Sequence, residues 1–520
     1  MIFVLAFIIA LALSLILTPL ASKLAVRFEI VDQPDFIRKI HNKPIPLLGG
    51  AVIFFVFFAV IFFFSKQLFV GNLNWHHYIG FFIGGLILII GGTLDDKYNF
   101  SPKQQIIFPI LAIAAVLLGG VEIIKLSNPF GDYLSLGAVA WLSPIFIAIW
   151  LMGMMYTTKL LDGVDGLVSG VSTIGALVIF LFTLTTKYYQ PDIAFVSLVL
   201  AGAIIGFLVY NFNPASIFLG EGGSLFLGFA LGVLAIISGG KIAIALLVMG
   251  VPILDVAWTI LRRLLSGKNP FRAADKKHLH HRLLALGLSQ KQTVLIFYFL
   301  SALFGGAGLF LQSQGKLLAL SLILLVMLIL VISFSFIKPK TKSKSKLLLH
   351  VCCAPCSAYL VKNILIPEYE VTLYFLNSNL DTKSEYDERL KWVEVVAREN
   401  KLPLIIEPYN HKEWLGLTKG RESDPERGAR CLICYRDRLI KTAELAKSKN
   451  FDYFSTSLLV SPYKDTKALI NISKELAIQY GVKFLEQDFQ INDTYKKSQA
   501  LAKDLGYYRQ KYCGCEFTKR

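Results

Sequence analysis

From residue 2 to about residue 337 the chain repeats long apolar runs separated by short polar breaks; beyond residue 347 the apolar positions come in short runs set between amphipathic stretches. A helix needs about 20 predominantly apolar residues to cross a hydrocarbon layer of about 30 Å. The first region holds about eleven such runs, at 2–20, 47–65, 78–94, 104–120, 137–156, 167–185, 192–210, 223–239, 242–262, 292–311 and 317–337. They predict a polytopic α-helical membrane domain of about eleven transmembrane helices. The first run lacks a basic leader and a small-residue cleavage pattern, and reads as a retained helix. After residue 347 the strand pattern KLLLHV and further apolar strands at 371–376, 403–406 and 453–456 alternate with helical periodicity at 383–400, 434–448, 465–480 and 494–505. That alternation predicts a Rossmann-like α/β domain.

Composition sharpens the division. Of 520 residues, 55% are hydrophobic and 17% charged, which excludes a single soluble domain and a disordered chain. Up to Lys346 there are 26 Lys+Arg against 13 Asp+Glu; the remainder carries 27 against 23. The expected domains are 1–337, a basic linker at 338–346 and 347–520. Alternate breaks between the apolar runs hold sixteen basic residues on one side and five on the other (Lys66, Lys125, Lys187, Lys241 and Lys316). Loops rich in Lys and Arg stay in the cytoplasm, so the N-terminus is expected outside and the last domain in the cytosol of a multi-pass plasma-membrane protein. The linker lysines either enforce this topology or lie against anionic membrane lipids.

Nearly all the acidic residues and the conspicuous histidines of the membrane half fall at cytoplasmic helix ends: Asp95 and Asp96, Asp162 and Asp165, Glu221, Asp275, and His278, His280 and His281; the outward loops hold only Glu122, Asp132 and Asp192. Carboxylates converging from several helix ends suit a hard cation such as Mg²⁺, with phosphate oxygens completing its shell. Arg38, Lys39, Lys159, Arg272, Lys277 and Arg282 reach the same side, where they suit a pyrophosphate. Asp255, inside the apolar run VPILDVAW, is either functional or paired with Arg262 or Arg263.

Six ordered segments carry a resemblance: DQPDFIRKIHNKPIPLLGG (32–50), GGTLDDKYNFSPKQQ (91–105), KLLDGVDGL (159–167), YNFNPASIFLGEGGSLFLG (210–228), GVPILDVAWTILRR (250–263) and PFRAADKKHLHHRLL (270–284). Together they resemble the MraY/WecA/TagO family of polyprenyl-phosphate sugar-1-phosphate transferases, over residues 1–337. The resemblance implies Mg²⁺-dependent transfer of a sugar-1-phosphate from a UDP-sugar to a polyprenyl phosphate, most plausibly undecaprenyl phosphate, with release of UMP. It assigns Asp95 and Asp96 to metal and lipid phosphate, and Asp162 and Asp165 to metal and nucleotide. It assigns Lys39, His41, Lys159, Asn213, His278, His280, His281 and Arg282 to substrate, and Asp96, Asp165 and Glu221 to Mg²⁺. The HLHH spacing resembles the WecA/TagO branch. The chain departs from the family in two places: the usual Asn-x-x-Asn before DGxDG is Tyr156 and Lys159, and the Asp of F-x-G-D is Glu221.

All seven cysteines lie after the linker: Cys352, Cys353, Cys356, Cys431, Cys434, Cys513 and Cys515. Close groups and an odd count argue for metal or redox chemistry over a disulfide framework. Cys352 and Cys353 end a strand, where α/β sheets present ligands. A CxxC alone suits zinc, thioredoxin-like redox or, with the CC pair, an iron–sulfur cluster; the CxC is either a labile disulfide or a metal clip.

The segments LLHVCCAPCS (348–357), SDPERGARCLICYRDRL (423–439), FSTSLLVSPYKD (454–465) and LGYYRQKYCGCEF (505–517) resemble the QueH family of epoxyqueuosine reductases. The resemblance implies that Cys352, Cys353, Cys431 and Cys434 hold a 4Fe-4S cluster and that Cys513 and Cys515 form a redox-active disulfide. Cys356 is then a ligand to an additional iron or a spectator. The implied reaction reduces epoxyqueuosine to queuosine in tRNA with an external electron donor. Tyr435, Tyr463 and Tyr512 are candidate proton donors, and Arg427, Arg430, Arg436, Arg438, Arg509 and Lys511 form either an anticodon-binding patch or a solvated face. Three readings follow: a bifunctional enzyme, a membrane-tethered reductase with a degenerate transferase half, and a transferase with a metal- or redox-sensing cysteine domain.

Overall fold

The computed structural model describes residues 1–33, 44–65, 73–123, 125–126, 134–135, 141–185, 189–239, 242–265, 267, 278–311, 313–336, 344–486, 489, 494–510 and 512–518. The chain forms two compact units, the first running to Lys340 and the second from Thr341 to Arg520.

The first unit is helical. Among the described residues six helices are long and apolar enough to cross a membrane: Ile2–Arg27, Trp75–Tyr98, Leu142–Leu161, Pro191–Asn211, Gly220–Ile237 and Gln290–Phe310. A seventh candidate is the pair Ile242–Val248 and Gly250–Leu265, and four shorter apolar helices lie at Gly49–Phe63, Pro102–Leu118, Leu167–Thr183 and Gln314–Val326. The segment expected as one straight span at 242–262 is instead bent by 80°. Its cause is local: Pro252 has no N–H to offer the carbonyl of Val248, and Gly250 beside it supports no side-chain packing across the break.

Polar side chains set the helix ends. Trp75–Tyr98 starts where the Asn74 side chain accepts from the His77 N–H at 2.9 Å and stops at Asn99 in the left-handed region (φ 51°). Gln290–Phe310 opens on a reciprocal Ser289–Gln292 capping box. Two short antiparallel pairs complete the unit, β1 (Val31–Asp32) with β2 (Ile45–Pro46) and β3 (Lys125–Leu126) with β4 (Leu134–Ser135).

Gly220–Ile237 is the buried axis of this unit. Lipid tails offer no hydrophobic drive between helices, so close packing of small residues supplies the contact. A Cβ built on Gly92 would stand 2.0 Å from the Gly222 nitrogen, and one on Gly50 2.0 Å from the Gly223 Cα. Backbone bonds from Phe218 N to the Pro46 carbonyl (2.8 Å) and from Gly50 N to the Leu219 carbonyl (2.8 Å) tie the entry of this helix to the segment after β2.

The second unit is an α/β domain. Strands β5 (Ser345–Val351), β6 (Tyr369–Phe375), β7 (Leu404–Ile406), β8 (Tyr453–Thr456) and β9 (Lys483–Phe484) form one parallel sheet in the order β7-β6-β5-β8-β9. The direction of build-up reverses at β5, which therefore sits in the middle and reads as a continuous buried run; Leu347, Leu348, Leu349 and Val351 are fully buried. β5 begins inside the expected linker, whose residues 338–343 lie outside the described set. His350 is a satisfied core histidine, with Nδ1 2.7 Å from Thr456 Oγ1 and Nε2 2.9 Å from the Leu376 carbonyl.

The Gly92–Gly222 approach generates a test. Gly92→Ala should lower the stability of the purified chain by about 1–3 kcal/mol, read by thermal unfolding in detergent. Gly306→Ala, where a Cβ meets nothing within 4 Å, should leave it unchanged or slightly raised.

Candidate active sites

In the membrane unit the carboxylates come from four helix ends. Asp95 and Asp96 end Trp75–Tyr98, Asp162 caps Leu142–Leu161, Asp165 lies in the turn before Leu167–Thr183, and Glu221 opens Gly220–Ile237. Asp96 accepts the Glu221 N–H at 3.0 and 3.2 Å, a carboxylate held on a helix N-terminus. Gly220 permits this contact: its φ is +73°, and a Cβ there would lie 2.6 Å from Asp96 Oδ2 and 2.2 Å from the Leu47 carbonyl. Asp95 accepts the Phe100 N–H at 2.7 Å, and Asp165 Oδ2 accepts from Asn213 Nδ2 (2.9 Å) and Ala215 N (3.0 Å). Asp96 feels Glu221, Asp95 and Asp162, and Asp162 feels Glu221 and Asp165, so the five form one electrostatic cluster.

Lys159 enters this cluster. Its ammonium pairs with the Glu221 carboxylate, donates to Gln105 Oε1 at 3.1 Å and lies 5.6 Å from the centre of the Tyr156 ring. Asp255 is partnered by His278, not by the arginines one or two turns on: His278 Nδ1 lies 2.8 Å from Asp255 Oδ2, and Leu279 N donates to Oδ1 at 2.8 Å. A carboxylate in an apolar helix is tolerated when it meets a polar partner, and the bend brings Asp255 to one. His278 stacks on His280 at 5.7 Å, and His281 lies 4.2 Å from His280. His280 is buried, both its ring nitrogens lack a hydrogen-bond partner, and a Cβ on Gly163 would stand 2.9 Å from its Nε2. The histidines thus face the Asp162–Gly163 turn. Arg282 follows them on the same short helix; Lys39 and His41 lie outside the described residues. An apolar cavity of about 240 Å³ opens at the bent pair, lined by Leu246, Gly250, Ile253, Leu254, Ile323 and Leu324 among others.

In the second unit Cys352 and Cys353 follow directly on β5, at the point where the sheet order reverses, which is where open α/β sheets bind ligands. With Cys356, in the first turn of Ala354–Leu360, they form a buried trio whose sulfurs lie within 4.8 Å of one another. Hydrogen bonds from Cys353 and Cys356 hold the Cys352 thiol well below its ordinary range despite burial. The same bonds and burial raise the other two, Cys353 to about 12. Three soft donors gathered in a dry setting fit a thiophilic metal or iron–sulfur group.

Cys431 and Cys434 sit in the first turns of Ala429–Ser448. Burial pushes Cys434 up to about 11, and it packs with Trp414 and Cys515. Cys513 and Cys515 flank Gly514, whose φ of +122° and whose absent Cβ, 2.3 Å from Leu380 Cδ2 if present, make glycine obligatory. All seven cysteines are free thiols in this structure.

The basic residues around these thiols revise the patch expected from sequence. Arg430 and Arg438 are buried, not displayed to solvent. Arg438 lies within electrostatic reach of Cys434, Cys513 and Cys352, which keep it charged against the burial. Arg430 donates to the Arg421 and Glu422 carbonyls at 3.1 and 2.6 Å. Arg436 pairs with Glu475, Arg427 donates to the Pro462 and Tyr463 carbonyls, Arg509 donates to Gln499, and Lys511 lies outside the described residues.

Two further cations escaped the sequence reading. Arg389 donates to the Cys513 and Tyr512 carbonyls (3.1 and 3.3 Å), and the Lys464 Nζ lies 2.8 Å from Cys513 Sγ. Burial opposes the Lys464 charge, and the Cys513 sulfur outweighs it. Arg438 was legible in principle: Cys431, Cys434 and Arg438 share one helical face. Of the tyrosines, Tyr435 is buried near Lys464, Cys431 and Cys513, Tyr512 donates to Asp381 Oδ1 at 2.7 Å, and Tyr463 is exposed.

These features define a helical unit with spans apolar enough for a membrane and carboxylates gathered at its helix ends, joined to an α/β unit centred on buried cysteines that could hold a metal. A family model for glycosyl transferase family 4 matches residues 78–239, and one for the epoxyqueuosine reductase QueH matches residues 347–520. The probable undecaprenyl-phosphate N-acetylglucosaminyl 1-phosphate transferase of Bacillus subtilis is 35% identical over 324 residues, 61% of this chain and 87% of that protein. The undecaprenyl-phosphate α-N-acetylglucosaminyl 1-phosphate transferase of Thermotoga maritima is 30% identical over 57% of this chain and 87% of its own length. The epoxyqueuosine reductase QueH of Streptococcus pyogenes is 34% identical over 180 residues, 34% of this chain and 70% of that protein. The chain belongs to both families: it is a fusion of a polyprenyl-phosphate sugar-1-phosphate transferase domain of the MraY/WecA type with a QueH domain, and a membrane protein.

Removing the ammonium beside Cys513 should make that sulfur a poorer nucleophile. Lys464→Met is expected to slow iodoacetamide labelling of Cys513 at pH 7 by about tenfold, read by peptide mass spectrometry, while Lys464→Arg retains most of the rate.

Proposed function

We propose that the chain is bifunctional. Its membrane unit transfers a sugar-1-phosphate from a UDP-sugar to undecaprenyl phosphate, and its second unit reduces epoxyqueuosine to queuosine in tRNA. The observation that carries the first activity is the convergence of Asp95, Asp96, Asp162, Asp165 and Glu221 opposite the unpartnered imidazole of His280. Mg²⁺ bound there supplies charge neutralisation for an attacking phosphate. Asp96 and Asp165 are its proposed ligands with Asp162 alongside; Glu221, the third ligand suggested by sequence, is engaged by Lys159. Mg²⁺ needs only one or two protein carboxylates when substrate phosphates fill the remaining positions, so the donor set fits. His278, oriented by Asp255, together with His280, His281 and Arg282, holds the donor phosphates, with Lys39 and His41 contributing. Asn213 fixes Asp165. The apolar cavity at the bent pair suits the polyprenyl chain.

The eleven apolar segments are read as eleven crossings with the N-terminus outside, which carries residues 347–520 into the cytosol, where tRNA is found. The strand order, reversing at β5, supports a Rossmann-like reading of that unit. There Cys352, Cys353, Cys431 and Cys434 are the proposed 4Fe-4S ligands, with Cys356 free for an additional iron. The cluster supplies single-electron transfer. Cys513 and Cys515 cycle between dithiol and disulfide, an external donor restoring the dithiol. Two electrons and two protons remove the epoxide oxygen as water; Tyr435, close to Lys464, is the proposed proton donor. The complete cysteine set argues against a purely sensing role. The Lys159–Glu221 pair favours a second reading, in which the transferase half has lost its activity.

In membranes containing undecaprenyl phosphate, UDP-sugars should yield Mg²⁺-dependent UMP release, and Asp96→Asn should lower it by roughly 10²-fold or more. Undiminished release in that variant overturns the assignment. The anaerobically purified chain should contain iron and convert epoxyqueuosine-tRNA to queuosine-tRNA, read by nucleoside mass; Cys431→Ala should lose the iron, and Cys513→Ser should lose turnover while keeping it.

A further inference from the structure

The positions at which the membrane unit departs from its family, Tyr156, Lys159 and Glu221, are not scattered. They meet in one contact: the Lys159 ammonium is paired with Glu221 and lies over the Tyr156 ring. Gln105, at the end of Pro102–Gln105, closes the third side with its side-chain oxygen. The Lys159 and Glu221 side chains are only 17% and 22% exposed. Lys159 is therefore caged by three elements, which is the arrangement expected of a cation with a fixed post and not of one sweeping solvent for a substrate.

Carboxylates gathered at neighbouring helix ends repel one another, and Asp95, Asp96, Asp165 and Glu221 each meet a donor or a cation. At Asp96 and Asp165 the partial charges of backbone and amide N–H groups contribute; at Glu221 a full positive charge is already covalently supplied. We propose that Lys159 is a built-in cation, which neutralises Glu221 in the place where a metal ion would otherwise do so. This rests on the transferase reading for its purpose, and on the Lys159 cage alone for its physical claim.

The test is Mn²⁺ binding to the purified full chain in detergent, followed by electron paramagnetic resonance and therefore independent of turnover. Mn²⁺ prefers oxygen ligands, so the thiols of the second unit contribute a background common to all variants. Lys159→Asn should tighten Mn²⁺ binding by about tenfold or more, because Glu221 is released to the ion. Adding Glu221→Gln to that variant should reverse the gain, and neither of these two proteins leaves a lysine stranded without its partner. Glu221→Gln alone should change the affinity by less than about twofold. The proposal is overturned if Lys159→Asn leaves Mn²⁺ affinity unchanged, or if its gain survives the second substitution. A wild-type chain that binds no Mn²⁺ supports the proposal if Lys159→Asn creates a Glu221-dependent site, and overturns it if no site appears. Should the expected affinities hold while no UDP-sugar releases UMP, the transferase reading falls and the Lys159 assignment stands.

Discussion

An ion taken out of bulk water must meet an opposite charge or a full set of hydrogen bonds, and both halves of this chain are organised by that requirement. In the membrane unit it gives carboxylates their partners: at helix ends Asp96 meets the Glu221 nitrogen and Glu221 meets Lys159, and within a helix Asp255 meets His278. In the cysteine unit the signs are inverted. There the cations lie inside: Arg438 and Arg389 are buried and Lys464 half-buried, among cysteine sulfurs and backbone carbonyls that meet their charge. The removal of either partner from such a pair costs more than its formation gained, so these contacts define the sites more rigidly than apolar packing would.

Glycine does for geometry what these pairs do for charge. The approach of Gly92 to Gly222 and of Gly50 to Gly223 lets two helix backbones close on Gly220–Ile237, and its N-terminus then delivers Glu221 beside Asp96. The β2 segment is stitched to the same place by backbone bonds at Phe218 and Gly50. An acidic cluster assembled from residues 95 to 221 thus depends on contacts that carry no functional group at all.

Much of this was legible in the sequence because it rests on local patterns. Apolar runs mark the membrane helices, the CC, CxxC and CxC groups mark the second site, and strand β8 falls on its expected residues 453–456. What was not legible depends on which way a side chain turns in three dimensions. Arg430 and Arg438 look like a nucleic-acid patch until their helix is placed against the cysteines, and Lys464 is ordinary until Cys513 arrives from 49 residues on. The bend before Asp255 was signalled by Pro252 yet hidden by uninterrupted hydropathy, so the partner of Asp255 was sought along its own helix instead of across a turn. β9, two residues long, is too short for any period to register.

The place of β5 in its sheet has a consequence in time. It is the first strand of its unit to be synthesised and also the central one, with β6 on one side and β8 on the other. During translation Cys352 and Cys353 therefore wait at the end of a half-paired strand until Tyr453–Thr456 emerge, and the Cys513–Cys515 turn is made last of all. The buried setting of Cys352 and Cys353 is therefore complete only at the end of synthesis, after the sheet has closed.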